Sequence, residues 1–206
     1  MGHATMVAPI VCMVARTELA NEGRDDPMKT MTQMSKLISL LLRHNPGKLG
    51  LTMDAHGWVG AKELVEALNG VQPFTMADLE HIVRTDNKQR YSFNADKTKI
   101  RANQGHSIPV DLELEPTTAP DELWHGTATR FTASIEREGL LPRGRQYVHL
   151  SPDEETATKV GRRHGKLALY VVDCAAMVAD GYEFYISQNG VWLTNAVPPN
   201  YLRRYL

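Results

Sequence analysis

Cysteine is scarce in this chain of 206 residues, because only Cys12 and Cys174 are present and they lack metal-ligand spacing. The pair predicts neither a disulfide framework nor a zinc site, and it fits the reducing environment of the cytoplasm, where we expect the protein to be. A long apolar run is also missing. The stretch MVAPIVCMVA is far too short to span a bilayer, so the sequence predicts no membrane anchor.

A strong net charge is a further absence, since the formal net charge is only -1. No global basic field points to nucleic acid, and any such partner must be held by a local cluster of cations. The charges are distributed unevenly. Residues 31–108 carry ten Lys and Arg against seven Asp and Glu, whereas residues 109–206 carry ten against thirteen, so the first half of the chain is mildly basic.

The hydrophobic patterns predict an α+β protein of two lobes. Residues 1–30 read as a loosely ordered extension, and residues 31–108 as three short helices followed by a hairpin, which is the order of a winged-helix module that binds nucleic acid. Residues 109–120 contain three prolines and no helical period, which is typical of a linker. Residues 121–206 alternate short strands with two helices and predict a strand-dominated lobe.

Caps and turns set the predicted element boundaries. The Pro-Gly pair at 46–47 stops the first helix, and Thr75 with Asp78 begins the third. Between the first two helices, LGLTM reads as a short strand. In the second lobe, Ser151 is the predicted N-cap of the helix in SPDEETATKVG, and EFYIS and VWLT flank the hairpin turn QNG.

Arg43 and His44 lie side by side in the last turn of the first predicted helix. Cations there interact favourably with the negative end of the helix dipole and need no ligand, so a structural role is one reading. The other reading is that the pair faces an anion.

A second donor-rich stretch, IRANQGHS, follows the predicted hairpin. Arg101 offers a bidentate fork to phosphate, and a glycine in the loop lets backbone amides approach an anion. Three polar residues of this loop are candidate RNA or phosphate ligands: Gln104, His106 and Ser107. The alternative is a polar wing loop that lies wholly in water.

The second lobe carries imidazoles, hydroxyls and glycines at the ends of its strands and helices. Such a set can hold a ribose with its phosphates, although a lone His is more often structural and a terminal Arg pair is often merely solvated. No GxGxxG follows a strand, so Rossmann-type binding is not indicated. The candidate cofactor-binding residues are His125, Gly126, Thr127, His149, Ser151, Gly161 and Arg162.

Taken in order, segments between about residues 34 and 205 resemble the RNA 2'-phosphotransferase family, whose enzyme finishes tRNA splicing in fungi. The segments are SKLISLLLRHNP, GLTMDAHGWV, RYSFN with IRANQGHS, LWHGT, RQYVHLS, VGRRHG and DGYEFYISQNGVWLTNAVPPNYL. The resemblance implies a winged-helix RNA lobe followed by a lobe similar to the ADP-ribosyltransferases. It also implies NAD as a consumed co-substrate and no metal, and we expect a monomer.

The essential residues of the family are an Arg-His pair and two further arginines, which map onto Arg43, His44, Arg101 and Arg145. Arg143 competes for the last position, and Arg145 is preferred because it keeps the short spacing to His149. By this resemblance the arginines orient a phosphate and His44 orients or deprotonates an attacking hydroxyl.

The implied reaction transfers an internal 2'-phosphate of RNA to NAD through an ADP-ribosylated RNA 2'-phosphate. The products are RNA with a 2'-hydroxyl, nicotinamide and ADP-ribose 1'',2''-cyclic phosphate. One rival is an ADP-ribosyltransferase that caps terminal phosphates of RNA or DNA with the same arginines. A second rival is a winged-helix regulator whose other lobe senses NAD.

Overall fold

The structure, a computed structural model, describes residues 27–206, and residues 1–26 of the predicted extension lie outside the described residues. The α-helices are α1 (Pro27–Arg43), α2 (Ala61–Asn69), α3 (Met76–Thr85), α4 (Thr132–Glu138), α5 (Glu154–Gly161) and α6 (Cys174–Ala179). The strands are β1 (Val59–Gly60), β2 (Tyr91–Phe93), β3 (Lys99–Ala102), β4 (Glu122–Ala128), β5 (Val148–Leu150), β6 (Leu167–Asp173), β7 (Phe184–Ile186), β8 (Trp192–Thr194) and β9 (Leu202–Arg204). The α+β prediction is confirmed.

The first half of the described chain packs α1, α2 and α3 against an antiparallel sheet of order β1-β3-β2. Ile38, Leu41 and Leu42 of α1 are fully buried, together with Leu64 of α2 and Ile100 of β3. The apolar residues of α1 recur at helical spacing, and burying each such side chain contributes about 1.5–3 kcal/mol. The C-terminal turn of α1 is therefore held firmly against the core.

The end of α1 agrees with the predicted stop. The helix ends at Arg43, the backbone N–H groups of His44 and Asn45 both donate to Leu40 O at 3.0 Å, and a 3-10 turn at Pro46–Leu49 follows. Arg43 thus closes the helix at the edge of the core.

The strand predicted at LGLTM is wrong. Gly50 takes a left-handed φ of 71° that breaks the extended path, and the N–H of Thr52 donates to the Glu63 carboxylate at 2.8 Å. The segment keeps a single bridge between Met53 and Val59. Side-chain contacts therefore replace the strand pairing that its composition favours.

Residues 103–121 contain neither helix nor strand, and the predicted linker falls within them. Backbone hydrogen bonds hold this segment to both halves of the chain. Asp111 N donates to Ala55 O at 2.8 Å, and Thr117 N donates to Phe184 O at 2.8 Å.

The second half consists of two antiparallel sheets, β4-β6-β9 and β5-β8-β7. Helix α5 packs directly on β4 through two facing glycines. A Cβ at Gly126 would overlap the carbonyl oxygen of Ala157, and one at Gly161 would lie 2.9 Å from Thr127 N. Close helix-strand packing therefore requires glycine at both positions. The sequence analysis missed α6 and β9.

The predicted N-cap of α5 needs correction. Ser151 pairs with Trp124 through two backbone hydrogen bonds of 2.7 and 2.9 Å, and its backbone is committed to that bridge between β4 and the end of β5. The N-cap is Asp153, whose carboxylate accepts from Thr156 N at 2.7 Å. Within residues 27–206, no helix has the length and apolar character needed to cross a bilayer.

Candidate functional site

The end of α1 is covered by the loop that follows β3. The backbone N–H of Ser107 donates to Arg43 O at 3.0 Å, and His44 Nδ1 lies 2.8 Å from Ser107 Oγ. Gly105 has a φ of 87°, and a Cβ there would lie 3.6 Å from the Arg43 guanidinium carbon. The glycine therefore permits both the backbone turn and the close approach to Arg43.

Residues of the second half reach the same place. Gln146 N donates to His106 O at 3.1 Å, and the Gln146 side chain donates to Val110 O at 2.9 Å. The neighbouring Arg145 Nη1 lies 2.7 Å from His149 Nδ1, and His125 Nδ1 lies 3.2 Å from His149 O. Gln146 therefore ties the segment that carries Arg145 to the loop beside Arg43.

The arginines of this cluster are not neutralised. Neither Arg43 nor Arg145 forms an ion pair within the described residues, and Arg43 Nε and Nη2 are buried without a hydrogen-bond acceptor. Burial lowers the pKa of Arg43, and the charges of Arg90 and Arg145 lower it further. A buried guanidinium that lacks acceptors is unfavourable, and an anion would supply both the charge and the acceptors.

The imidazoles around these arginines favour the neutral form. Burial, followed by the charges of Arg43 and Arg145, lowers the pKa of His44. Burial lowers the pKa of His149 to about 3, with Arg145 as the next cause. Burial also lowers the pKa of His125, which its hydrogen bond to the His149 carbonyl partly offsets. The site therefore carries fixed positive charge from arginine and neutral imidazoles at pH 7.

Arg101 has its own set of contacts, separate from those of Arg43 and Arg145. Its guanidinium carbon lies 4.4 Å from the ring centre of Trp58, and Nη1 lies 3.4 Å from His56 O and 3.6 Å from the Glu113 carboxylate. Burial, followed by the charges of Arg43, His44 and Arg101, lowers the pKa of His106 to about 4. His106 is thus the common neighbour of these cations.

The structure brings Arg43, His44 and Arg145 together, and it leaves Arg101 on the Trp58 side of His106. Arg143 faces elsewhere, since it pairs with Glu138 at 2.7 Å. This geometry favours Arg145 over Arg143, while the catalytic roles stay predictions.

The loop candidates differ in exposure. His106 is only 1% exposed and neither ring nitrogen has a hydrogen-bond partner, so the reading of this loop as wholly solvated does not apply to it. Gln104 is half-buried, and Ser107 is exposed and engaged by His44. The sequence analysis missed Gln146 and Trp58, because neither stands out until the two halves are packed together.

The co-substrate candidates surround β4 and the start of the turn after α5. Thr127 and Ser151 are buried, Gly126 and Gly161 form the α5-β4 contact, and Arg162 is exposed. The charge of His164 contributes to the lowered pKa of His125, which shows that the turn Arg162–His164 lies near that imidazole. Packing already accounts for the two glycines, and a ligand-binding role for the set stays a prediction.

The buried neutral histidines predict acid-sensitive stability. Because the pKa values of His106 and His149 fall below the ordinary 6.5, the unfolded chain binds more protons than the folded chain as the pH drops below 6.5. Stability is therefore complete above about pH 6.5 and is lost as the pH falls towards 4, by about 2 kcal/mol at pH 5 for His106. Urea unfolding from pH 7.5 to 5 measures this loss. The His106→Gln variant should have a shallower pH dependence, and an unchanged slope would contradict the assignment.

Unsatisfied guanidinium donors, neutral imidazoles and inter-half contacts make this cluster a candidate binding site for a phosphate-bearing ligand. The model of the RNA 2'-phosphotransferase, Tpt1 / KptA family matches residues 29–196. The chain belongs to this family and is a transferase, which confirms the resemblance found in the sequence segments.

The alignments with similar proteins span nearly the whole length of each relative. A protein named "Probable RNA 2'-phosphotransferase" from Hahella chejuensis is 51% identical over 176 residues, which are 84% of this chain and 94% of the relative. Proteins of the same name from Streptomyces coelicolor and Flavobacterium johnsoniae are 50% and 48% identical, over 83% and 82% of this chain and 93% of each relative.

Proposed function

We propose that the protein removes an internal 2'-phosphate from RNA by transferring it to NAD. The observation that carries the proposal is the pair of buried, unpartnered donors on Arg43 in a cation cluster built from both halves of the chain. Membership of the family supports RNA 2'-phosphate as the group transferred. A phosphate bound there would accept both donors and offset the charge.

We further propose that the first half is a winged-helix RNA lobe and the second an ADP-ribosyltransferase-like lobe. The element order α1-β1-α2-α3-β2-β3 with sheet order β1-β3-β2 supports the first assignment. The two antiparallel sheets of the second half are consistent with the other.

The residues near β4 fit NAD by their chemistry. Neutral imidazoles at His125 and His149 suit ribose hydroxyls, because they add hydrogen-bonding groups without charge. Arg162 is exposed and forms no ion pair in the described part of the chain, so it is available to a pyrophosphate. NAD would supply an electrophilic ribose carbon from which nicotinamide departs.

In the first step, an oxygen of the RNA 2'-phosphate forms a bond to that ribose carbon, and the bond to nicotinamide breaks. The nucleophile is already an anion, so the site must position it and has no proton to remove. Arg43 and Arg145 hold the phosphate oxygens in this scheme. The product is RNA joined to ADP-ribose through its 2'-phosphate.

In the second step, the 2''-hydroxyl of ADP-ribose attacks phosphorus, and the bond from phosphorus to the RNA 2'-oxygen breaks. His44 takes the hydroxyl proton and returns it to the departing 2'-oxygen. Ser107, 2.8 Å from His44 Nδ1, would fix the imidazole so that Nε2 faces the reacting groups. The guanidinium groups stabilise the charge that collects around phosphorus.

The test is incubation with NAD and an oligonucleotide that bears one internal 2'-phosphate, beside an oligonucleotide with a terminal phosphate. Nicotinamide, 2'-hydroxyl RNA and ADP-ribose 1'',2''-cyclic phosphate are expected from the first. Stable ADP-ribosylation of the terminal phosphate, without turnover of the internal one, would replace this proposal by a capping activity. Release of no nicotinamide with either acceptor would favour a regulator.

A further inference from the structure

A groove of about 670 Å³ lies between α1, the C-terminal end of α3 and β2. Its volume is within the range of about 300–1,000 Å³ that is usual for sites of small molecules and cofactors. Most of the lining residues are polar or charged in type, and the residues that matter below are Ser35, Lys36, Ser39, Asp86, Lys88 and Arg90.

The groove runs along the same helix that carries Arg43. Ser39 lies one helical turn before Arg43, and the charges of Arg90 and Asp86, both in the groove wall, act on the Arg43 guanidinium. The Tyr91 hydroxyl donates to Ser35 O at 2.8 Å and holds β2 against α1. A chain lying in the groove would therefore pass one helical turn from Arg43.

The cations of the groove divide into one that is neutralised and others that are not. Arg90 pairs with Asp86. Lys36 and Lys88 form no ion pair among residues 30–206, and they remain available to an external anion. Arg90 therefore contributes little net charge to the groove, whereas each lysine contributes a full positive charge.

The second half of the chain contacts one edge of the groove. The Asn189 side chain donates to Lys88 O at 2.8 Å, which ties the β7-β8 turn to this edge of the groove. Burial lowers the pKa of Lys88, and the charge of Arg163 lowers it further.

Unpaired cations at several points along a groove match a polymer of phosphates better than a single free anion. The groove is a cleft between two helices, and it suits a single strand whose bases are unstacked more than a duplex. We propose that this groove binds the single RNA strand adjoining the 2'-phosphate, with Lys36 and Lys88 contacting its backbone phosphates. This proposal rests on the proposed function, because it assumes that Arg43 holds the 2'-phosphate.

The experiment measures binding of a fluorescent single-stranded ten-nucleotide RNA with one internal 2'-phosphate, without NAD, at several salt concentrations. For Lys36→Gln and Lys88→Gln we expect weaker binding and a slope of log K against log salt that is smaller by about 0.7 each. Lys62→Gln is the matched control, since Lys62 is exposed on α2 and pairs with Glu66 at 3.9 Å. It should leave the slope unchanged.

Two results would overturn the groove proposal: slopes of the Lys36 and Lys88 variants equal to that of the parent protein, or a duplex bound with the same dependence on Lys88. An unphosphorylated strand of the same sequence separates this proposal from the function. If its binding depends on Lys88 while no phosphate is ever transferred, the groove stands and the function fails. If the variants process the substrate and bind it as the parent does, the function stands and the groove fails.

Discussion

Arg43→Met is expected to slow 2'-phosphate removal by about 10²- to 10³-fold while NAD binding is retained. The substitution keeps an unbranched side chain against the core but removes the two buried donors that have no acceptor in the protein. Single-turnover kinetics with the 2'-phosphorylated oligonucleotide measures the rate, and calorimetric titration measures NAD binding. Normal turnover by this variant would remove Arg43 from the site.

The free energy of unfolding of the Arg43→Met variant distinguishes two roles for Arg43: binding an anion, or stabilising the C-terminal end of α1 through the helix dipole. If Arg43 served only the dipole, its loss would cost about 0.3–1 kcal/mol. If it is a buried charge awaiting an anion, the free energy of unfolding should stay the same or rise. Arg137→Met is the matched control, because Arg137 also lies in the last turn of a helix but is exposed and paired with Glu138. It should leave turnover unchanged.

Local sequence patterns predicted the fold where neighbouring residues determine structure. The period of α1 and its stop are confirmed, and so is the capping box, in which Thr75 N donates to the Asp78 carboxylate at 2.8 Å. The strand β9 was not predicted because two of its three residues are arginines, and its extended conformation depends on pairing with β6. Ser151 failed as an N-cap for the same reason, since pairing with a distant strand took its backbone.

The site could be predicted only in outline. Arg43, His44 and Arg145 stand out by type and spacing, yet whether the loop after β3 lies in water depends on what covers it. His106 is buried, and Gly57 lies against it, since a Cβ at Gly57 would be 3.5 Å from His106 Nε2; this contact joins residues far apart in the chain. Periodicity carries no information on such contacts.

His44→Gln is expected to impair the second step more than the first, by about 10²- to 10⁴-fold for loss of a general acid-base group. The first step needs no proton transfer, whereas the 2''-hydroxyl must lose its proton before phosphorus can be attacked. The lowered pKa of His44 keeps its imidazole neutral at pH 7, as a base must be. Labelled RNA on a gel should show ADP-ribosylated RNA accumulating.

Arg145→Gln should accumulate the same species, because Arg145 acts on the charge at phosphorus.

Ser107→Ala distinguishes positioning of His44 from the chemistry itself. This variant keeps the imidazole but removes its 2.8 Å partner, so we expect the second step to slow by about 2- to 10-fold, with some accumulation of the same intermediate. The Ser107→Thr variant, which keeps a hydroxyl at this position, should retain most of the second-step rate of the parent protein. Uniform slowing of both steps in the His44 and Ser107 variants would mean that the pair only shapes the phosphate pocket. In that case the proton of the 2''-hydroxyl must go to an acceptor other than His44, and His149 Nδ1 is already engaged by Arg145 at 2.7 Å.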